Sequence, residues 1–236
     1  MKFGVVQFPG SCDERDALRA ASLVGQAEML WHTDRDLKGV DAVIIPGGFS
    51  YGDYLRAGAI ARFAPVMESV IGWAREGGLV LGICNGFQVC CEAGLLPGAL
   101  LTNVARRFVC RQVTVELVNS DTPFTRACAT DGSDGTGSGV PARTHLSIPA
   151  KHAWGRFYAD RPTLEAMEAS GQVVLRYAPA ENFNGSVSEI AGVCNEGANV
   201  FGMMPHPEYA VDALTGSTDG LCIFQSMRLA VEGVRA

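Results

Sequence analysis

The chain has 236 residues, 47% of them hydrophobic and 19% charged, enough apolar material to bury a full core within one domain spanning 1–236. A formal net charge of −6 with scattered Lys and Arg argues against a face that binds nucleic acid. No apolar run approaches the roughly 20 residues of a membrane span, and "FGVVQF" after Met1-Lys2 is too short for a signal-peptide core, so the expected location is cytoplasmic.

In chain order, "KFGVVQF" (2–8) predicts a first strand closed by Pro9-Gly10, and 11–14 offers a helix start, with Leu18, Ala21, Ser22 and Gly25 on the packed face. "AEMLWH" (27–32) predicts a second strand, and "DAVIIPGG" (41–48) a third that runs into a Gly-rich loop. Residues 59–76 have helical periodicity, with Ile60, Phe63, Val66, Met67, Val70, Ile71 and Ala74 on the apolar side. Gly77-Gly78 ends that helix, "LVLGI" (79–83) predicts a fourth strand, and 85–94 a helix capped by Gly94. The second half is richer in strands, predicted at 106–118, 144–149, 172–178, 190–195 and 199–205, before a final helix from Asp219-Gly220. The Gly, Ser and Asp of 129–142 cannot pack a core and predict a flexible surface loop. The alternation implies an α/β fold: a mostly parallel central sheet flanked by helices, with a strand-rich C-terminal half and ligands at the strands' carboxyl ends.

Eight cysteines in such a chain suggest reduced thiols. Cys12, Cys90, Cys91, Cys110, Cys128, Cys194 and Cys222 read as small buried apolar side chains. With no C-x-x-C and no H-x-x-x-H, no metal site is expected.

Cys84 stands apart. It ends an apolar strand between Gly82 and Gly86, the spacing that a sharp nucleophile elbow needs, because neighbours two positions either side crowd together there. The following helix would point its N-terminus at the sulfur, favouring thiolate, and the Asn85 N–H would face a developing oxyanion. The same pattern also fits a helix start over a buried thiol. His206 lies between Pro205 and Pro207, and Glu208 can accept a proton from its imidazole, leaving the other ring nitrogen free to serve Cys84. His32 and His145 read as surface or satisfied core residues, and Pro-His-Pro-Glu alone also fits a rigid loop.

Together these features resemble the class I glutamine amidotransferases, whose Cys-His-Glu triad splits glutamine. "PGGFSYGDYLRAGAIA" (46–61), "LGICNGFQ" (81–88), "CNEGANVFGMMPHPE" (194–208) and "GSTDGLCIFQS" (216–226) are similar to the family of glutaminase subunits of phosphoribosylformylglycinamidine synthase, a purine-pathway enzyme. The resemblance implies a flavodoxin-like fold and roles for matching positions. Cys84 is the nucleophile, His206 shuttles protons, and Glu208 orients His206. Gly48 and Asn85 supply oxyanion N–H groups, and Gln88, one helical turn after Cys84, helps seat glutamine. It also implies a thioester intermediate, ammonia passed to a synthetase subunit, and a small bridging subunit. No G-x-x-x-x-G-K-[ST] or G-x-G-x-x-G is present, so no cofactor is expected in this chain, with ATP and magnesium on the synthetase. Where the family commonly shows "HGEG" this chain has "HAWG" (152–155), so no role passes to His152. The alternatives are a non-catalytic scaffold and a stand-alone γ-glutamyl hydrolase.

Overall fold

The computed structural model describes residues 1–129 and 144–234. Continuous apolar runs make strands that must be covered on both faces. The first half supplies four: β1 (Lys2–Gln7), β2 (Gln26–Trp31), β3 (Ala42–Ile45) and β4 (Leu79–Ile83). All of β3 and the centre of β1 are buried. Helices α1 (Glu14–Ser22), α2 (Pro65–Arg75) and α3 (Asn85–Glu92) follow β1, precede β4 and follow β4 in turn. Then come β5 (Ala99–Leu101), β6 (Val109–Leu117), α4 (Arg126–Ala129), β7 (His145–His152), β8 (Arg156–Tyr158), α5 (Arg161–Ala169), β9 (Val173–Tyr177), β10 (Ile190–Cys194), β11 (Val200–Met203) and α6 (Leu221–Val234).

One sheet has the order β2-β1-β3-β4-β11-β10-β9-β6-β7, and β5 with β8 forms a separate ribbon. From β2 to β11 all pairings are parallel, while β10, β9, β6 and β7 extend the sheet antiparallel. That is the predicted parallel core with its strand-rich C-terminal half. Strands β3, β4 and β11 lie side by side, so the loops leaving their carboxyl ends converge on one place.

Some elements differ from expectation. The helix predicted at 59–76 begins at Pro65, because proline lacks an N–H and disfavours helical backbone in the residue before it; Ala64 is extended at ψ 143°. Residues Ala61–Phe63 form a 3-10 turn that leaves Phe63 71% exposed instead of packed. Helix α5 was not anticipated, since its only buried residue is Met167; Asp160 caps it by accepting from Thr163 N at 3.0 Å. Cys128 and Cys222 form a disulfide joining α4 to α6 across 94 residues of sequence, a pairing that spacing alone does not reveal. Cys12 and Cys110 are exposed rather than buried. Of the predicted loop at 129–142, Ala129 closes α4 and the remainder lies outside the described residues. Among the described residues no helix is long and apolar enough to cross a membrane.

Candidate active site

The junction of β4 and α3 is a tight elbow. Cys84 has φ 50° and ψ −102°, a conformation that costs a residue with a side chain roughly 1–3 kcal/mol. Its backbone N–H donates to Met203 O at 2.8 Å, which ties the elbow to β11. A Cβ on Gly82 would lie 2.8 Å from the carbonyl carbon of Gly86, and one on Gly86 would overlap the Ile45 carbonyl of β3. Close approach therefore demands both glycines, and the Cys84 side chain at the helix start reaches within 3.8 Å of Lys151 O on β7.

His206 arrives from the end of β11. Its N–H donates to Pro149 O of β7 at 2.8 Å, and the 3-10 turn at Pro207–Tyr209 brings Glu208 back beneath the ring. Glu208 Oε1 is 2.6 Å from His206 Nδ1, so Nδ1 carries the proton it donates, while Nε2 has no hydrogen-bond partner. Both side chains are buried. Burial alone would lower the imidazole's proton affinity; the Glu208 carboxylate, followed by the Cys84 sulfur, outweighs it and raises the pKa to about 10. A cationic imidazole supplies the charge that a thiolate at Cys84 requires.

A second carboxylate stands behind the ring. Asp13, 2% exposed in the loop after β1, has Oδ2 3.6 Å from His206 Nδ1. Lys151 pairs with its Oδ1, and the Tyr209 hydroxyl lies 2.9 Å from the same oxygen and 2.9 Å from Asp16 Oδ2, sharing one proton between the two carboxylates. Gly47 leaves room for this contact, since a Cβ there would meet the Asp13 carboxylate and stand 2.7 Å from His206 Cε1. Asp13, His206 and Glu208 present ligand atoms within 4.8 Å of one another and could hold a cation, but Lys151 already supplies one at Asp13.

In front of Cys84 lies a cleft of about 320 Å³, lined by Gly48, Asp53, Gln88, Lys151 and Trp154 among others. Gly48 has φ +141° and forms an isolated bridge with Ser11; a Cβ there would sit 2.6 Å from Cys12 N. The Asn85 side chain accepts from Ser50 N at 3.0 Å and donates to Gln88 Oε1 at 2.8 Å and Asp53 Oδ1 at 3.1 Å. Gln88 in turn donates to Trp154 O. His152 also lines the cleft; burial, with a smaller push from His206, lowers its pKa to about 3, so it is neutral, with Nδ1 3.1 Å from Asn103 Oδ1.

The structure thus brings Cys84, His206 and Glu208 together and places Gly48 and Gln88 in the cleft before them. Asn85 follows Cys84 at the helix start, its side chain binding Gln88 and the Gly-rich loop. Sequence reading missed Asp13, which it took only as part of a helix start, and Lys151, Tyr209 and Asp53. Their partners are distant in sequence: Asp13 meets Lys151 and Tyr209, and Asp53 meets Asn85.

A profile of the CobB/CobQ-like glutamine amidotransferase domain matches residues 1–220. The chain is 57% identical over 228 residues to the phosphoribosylformylglycinamidine synthase subunit PurQ of Rubrobacter xylanophilus, covering 96% of this chain and 97% of that one. It is 52% identical over 232 residues to the PurQ subunit of Mycobacterium tuberculosis H37Rv, with 98% and 97% covered. Among solved structures, PurLQS from Thermotoga maritima aligns with a TM-score of 0.83 at 40% identity over 98% of both chains. The glutaminase domain of Trypanosoma brucei CTPS, with acivicin bound, shares the fold at TM-score 0.61 and 13% identity, with 99% of this chain and 94% of that one covered.

Proposed function

The chain belongs to the CobB/CobQ-like glutamine amidotransferase family, and on that premise we propose that it is the glutaminase subunit of a phosphoribosylformylglycinamidine synthase, working through Cys84, His206 and Glu208. The observation that carries this reading is the convergence, at the ends of adjacent strands β4 and β11, of a left-handed cysteine elbow and a buried His206–Glu208 pair at 2.6 Å.

The Cys84 thiolate attacks the side-chain carboxamide carbon of glutamine. The oxyanion that develops is received by the N–H groups of Asn85 and Gly48, and Gln88 seats the substrate. His206 gives a proton to the departing nitrogen, so the C–N bond breaks to release ammonia and leave a glutamyl thioester on Cys84. His206 then takes a proton from the attacking water, the C–S bond breaks, and glutamate leaves. Glu208 holds the Nδ1–H throughout, which keeps Nε2 directed at the reacting atoms. Ammonia passes to a synthetase subunit that binds ATP and magnesium, where formylglycinamide ribonucleotide becomes formylglycinamidine ribonucleotide. A small bridging subunit completes the assembly, and this chain needs no cofactor or metal of its own.

The test is glutamate release from glutamine by the chain assembled with its synthetase, for wild type and Cys84→Ala. Loss of release in the variant supports the reading. Equal rates would instead make the chain a scaffold, and full turnover without any partner would make it a stand-alone γ-glutamyl hydrolase.

A further inference from the structure

The geometry points to Asp53 as the group that receives the α-ammonium of glutamine, making the cleft selective for α-amino carboxamides. This rests on the glutaminase reading and adds a specificity residue to it.

Two acids line the cleft in front of Cys84, Asp13 and Asp53. Asp13 already has a cation, because Lys151 pairs with it. Asp53 has none among the described residues. Its carboxylate is held only by neutral donors, Asn85 Nδ2 at 3.1 Å and the Gly58 backbone N–H. Burial raises its pKa and those two donors recover only part of that, which marks a charge taken partly out of water without a counter-charge. Its position is fixed rather than mobile. Asn85 binds Ser50 N, Gln88 and Asp53 at once, and so ties the carboxylate to the helix that carries the nucleophile.

The substrate has one cationic group. With its carboxamide carbon at Cys84 and its chain along Gln88, the α-ammonium needs an anion within the same cleft. Asp53 is the acid there that is still uncompensated. A charge-assisted hydrogen bond in a half-desolvated site is also the kind of contact that separates substrates strongly.

Glutaramate, the analogue of glutamine without the α-amino group, keeps the carboxamide and the carboxylate. Ammonia release from both substrates by the complex with the synthetase gives a ratio of kcat/KM values. Wild type is expected to favour glutamine by about 100-fold, and Asp53→Asn to bring that ratio down to about one. Turnover of glutaramate by the variant shows that its site is still assembled. A ratio unchanged in the variant would overturn the assignment, as would a wild type that handles both substrates equally. Absence of glutamine turnover in wild type would remove the glutaminase reading itself, a separate result.

Discussion

Lys151→Met isolates what the ion pair behind the His206 ring contributes. Asp13 is 2% exposed, while the Lys151 side chain that neutralises it is 25% exposed. Removing one partner of a fully buried pair costs about 3–5 kcal/mol. Here the Tyr209 hydroxyl, 2.9 Å from both Asp13 and Asp16, is free to give its one proton to Asp13, and the partial opening at Lys151 admits water. The expected cost is therefore about 2–3 kcal/mol. In a domain of this size each kcal/mol shifts Tm by about 2–4 °C, so the variant should melt about 4–12 °C lower. Urea unfolding at neutral pH measures the same quantity directly. The double variant D13N/K151M removes the stranded charge, and relative to D13N alone the added lysine change should cost less than about 1 kcal/mol. A K151M protein as stable as wild type, or a double variant that again loses the full amount, would show that Lys151 does not neutralise a buried charge on Asp13.

Gly86→Ala puts a methyl group into the Ile45 carbonyl, a backbone atom that cannot swing aside, so loss of soluble folded protein is expected by circular dichroism; a well-folded variant would show that β3 and the elbow are less tightly joined. Glu208→Gln removes the carboxylate that holds His206 cationic and should lower kcat by roughly 10²–10⁴-fold with little change in KM; an unchanged kcat would show that Glu208 has no part in turnover. His152 gives a pH signature: its pKa is lowered to about 3 in the fold, so the stability it contributes is present above the unfolded value near 6.5 and lost as pH falls toward 3. Between pH 6.5 and 5, above most carboxylate titration, wild type should lose up to about 1.4 kcal/mol per pH unit from this group, and His152→Asn should flatten that slope. Identical slopes would contradict it.

Local chemistry made much of this legible before any coordinates. The parallel core shows in unbroken Val, Ile and Leu runs, and the elbow in two glycines that flank Cys84 at the spacing where backbones touch. The His206–Glu208 pair is two residues apart in a rigid Pro-containing turn, so it too is a local feature. What sequence could not show is set by tertiary contact. Asp13 meets Lys151 across 138 positions, and Tyr209 reaches Asp13 across 196. Cys128 and Cys222 look like two ordinary core cysteines until α4 and α6 pack together. Helix α5 escaped because it is a nine-residue surface helix that buries only Met167, too little apolar material to mark it in the sequence.

In the proposed reaction Cys84 takes the glutamyl group. Acid-quenching the synthetase complex during glutamine turnover, followed by peptide mass spectrometry, tests it most directly. The expected result is one glutamyl group on the peptide bearing Cys84, missing in Cys84→Ala. Glutamate released at the wild-type rate with no glutamyl group on Cys84, or with the group on another residue, would contradict it.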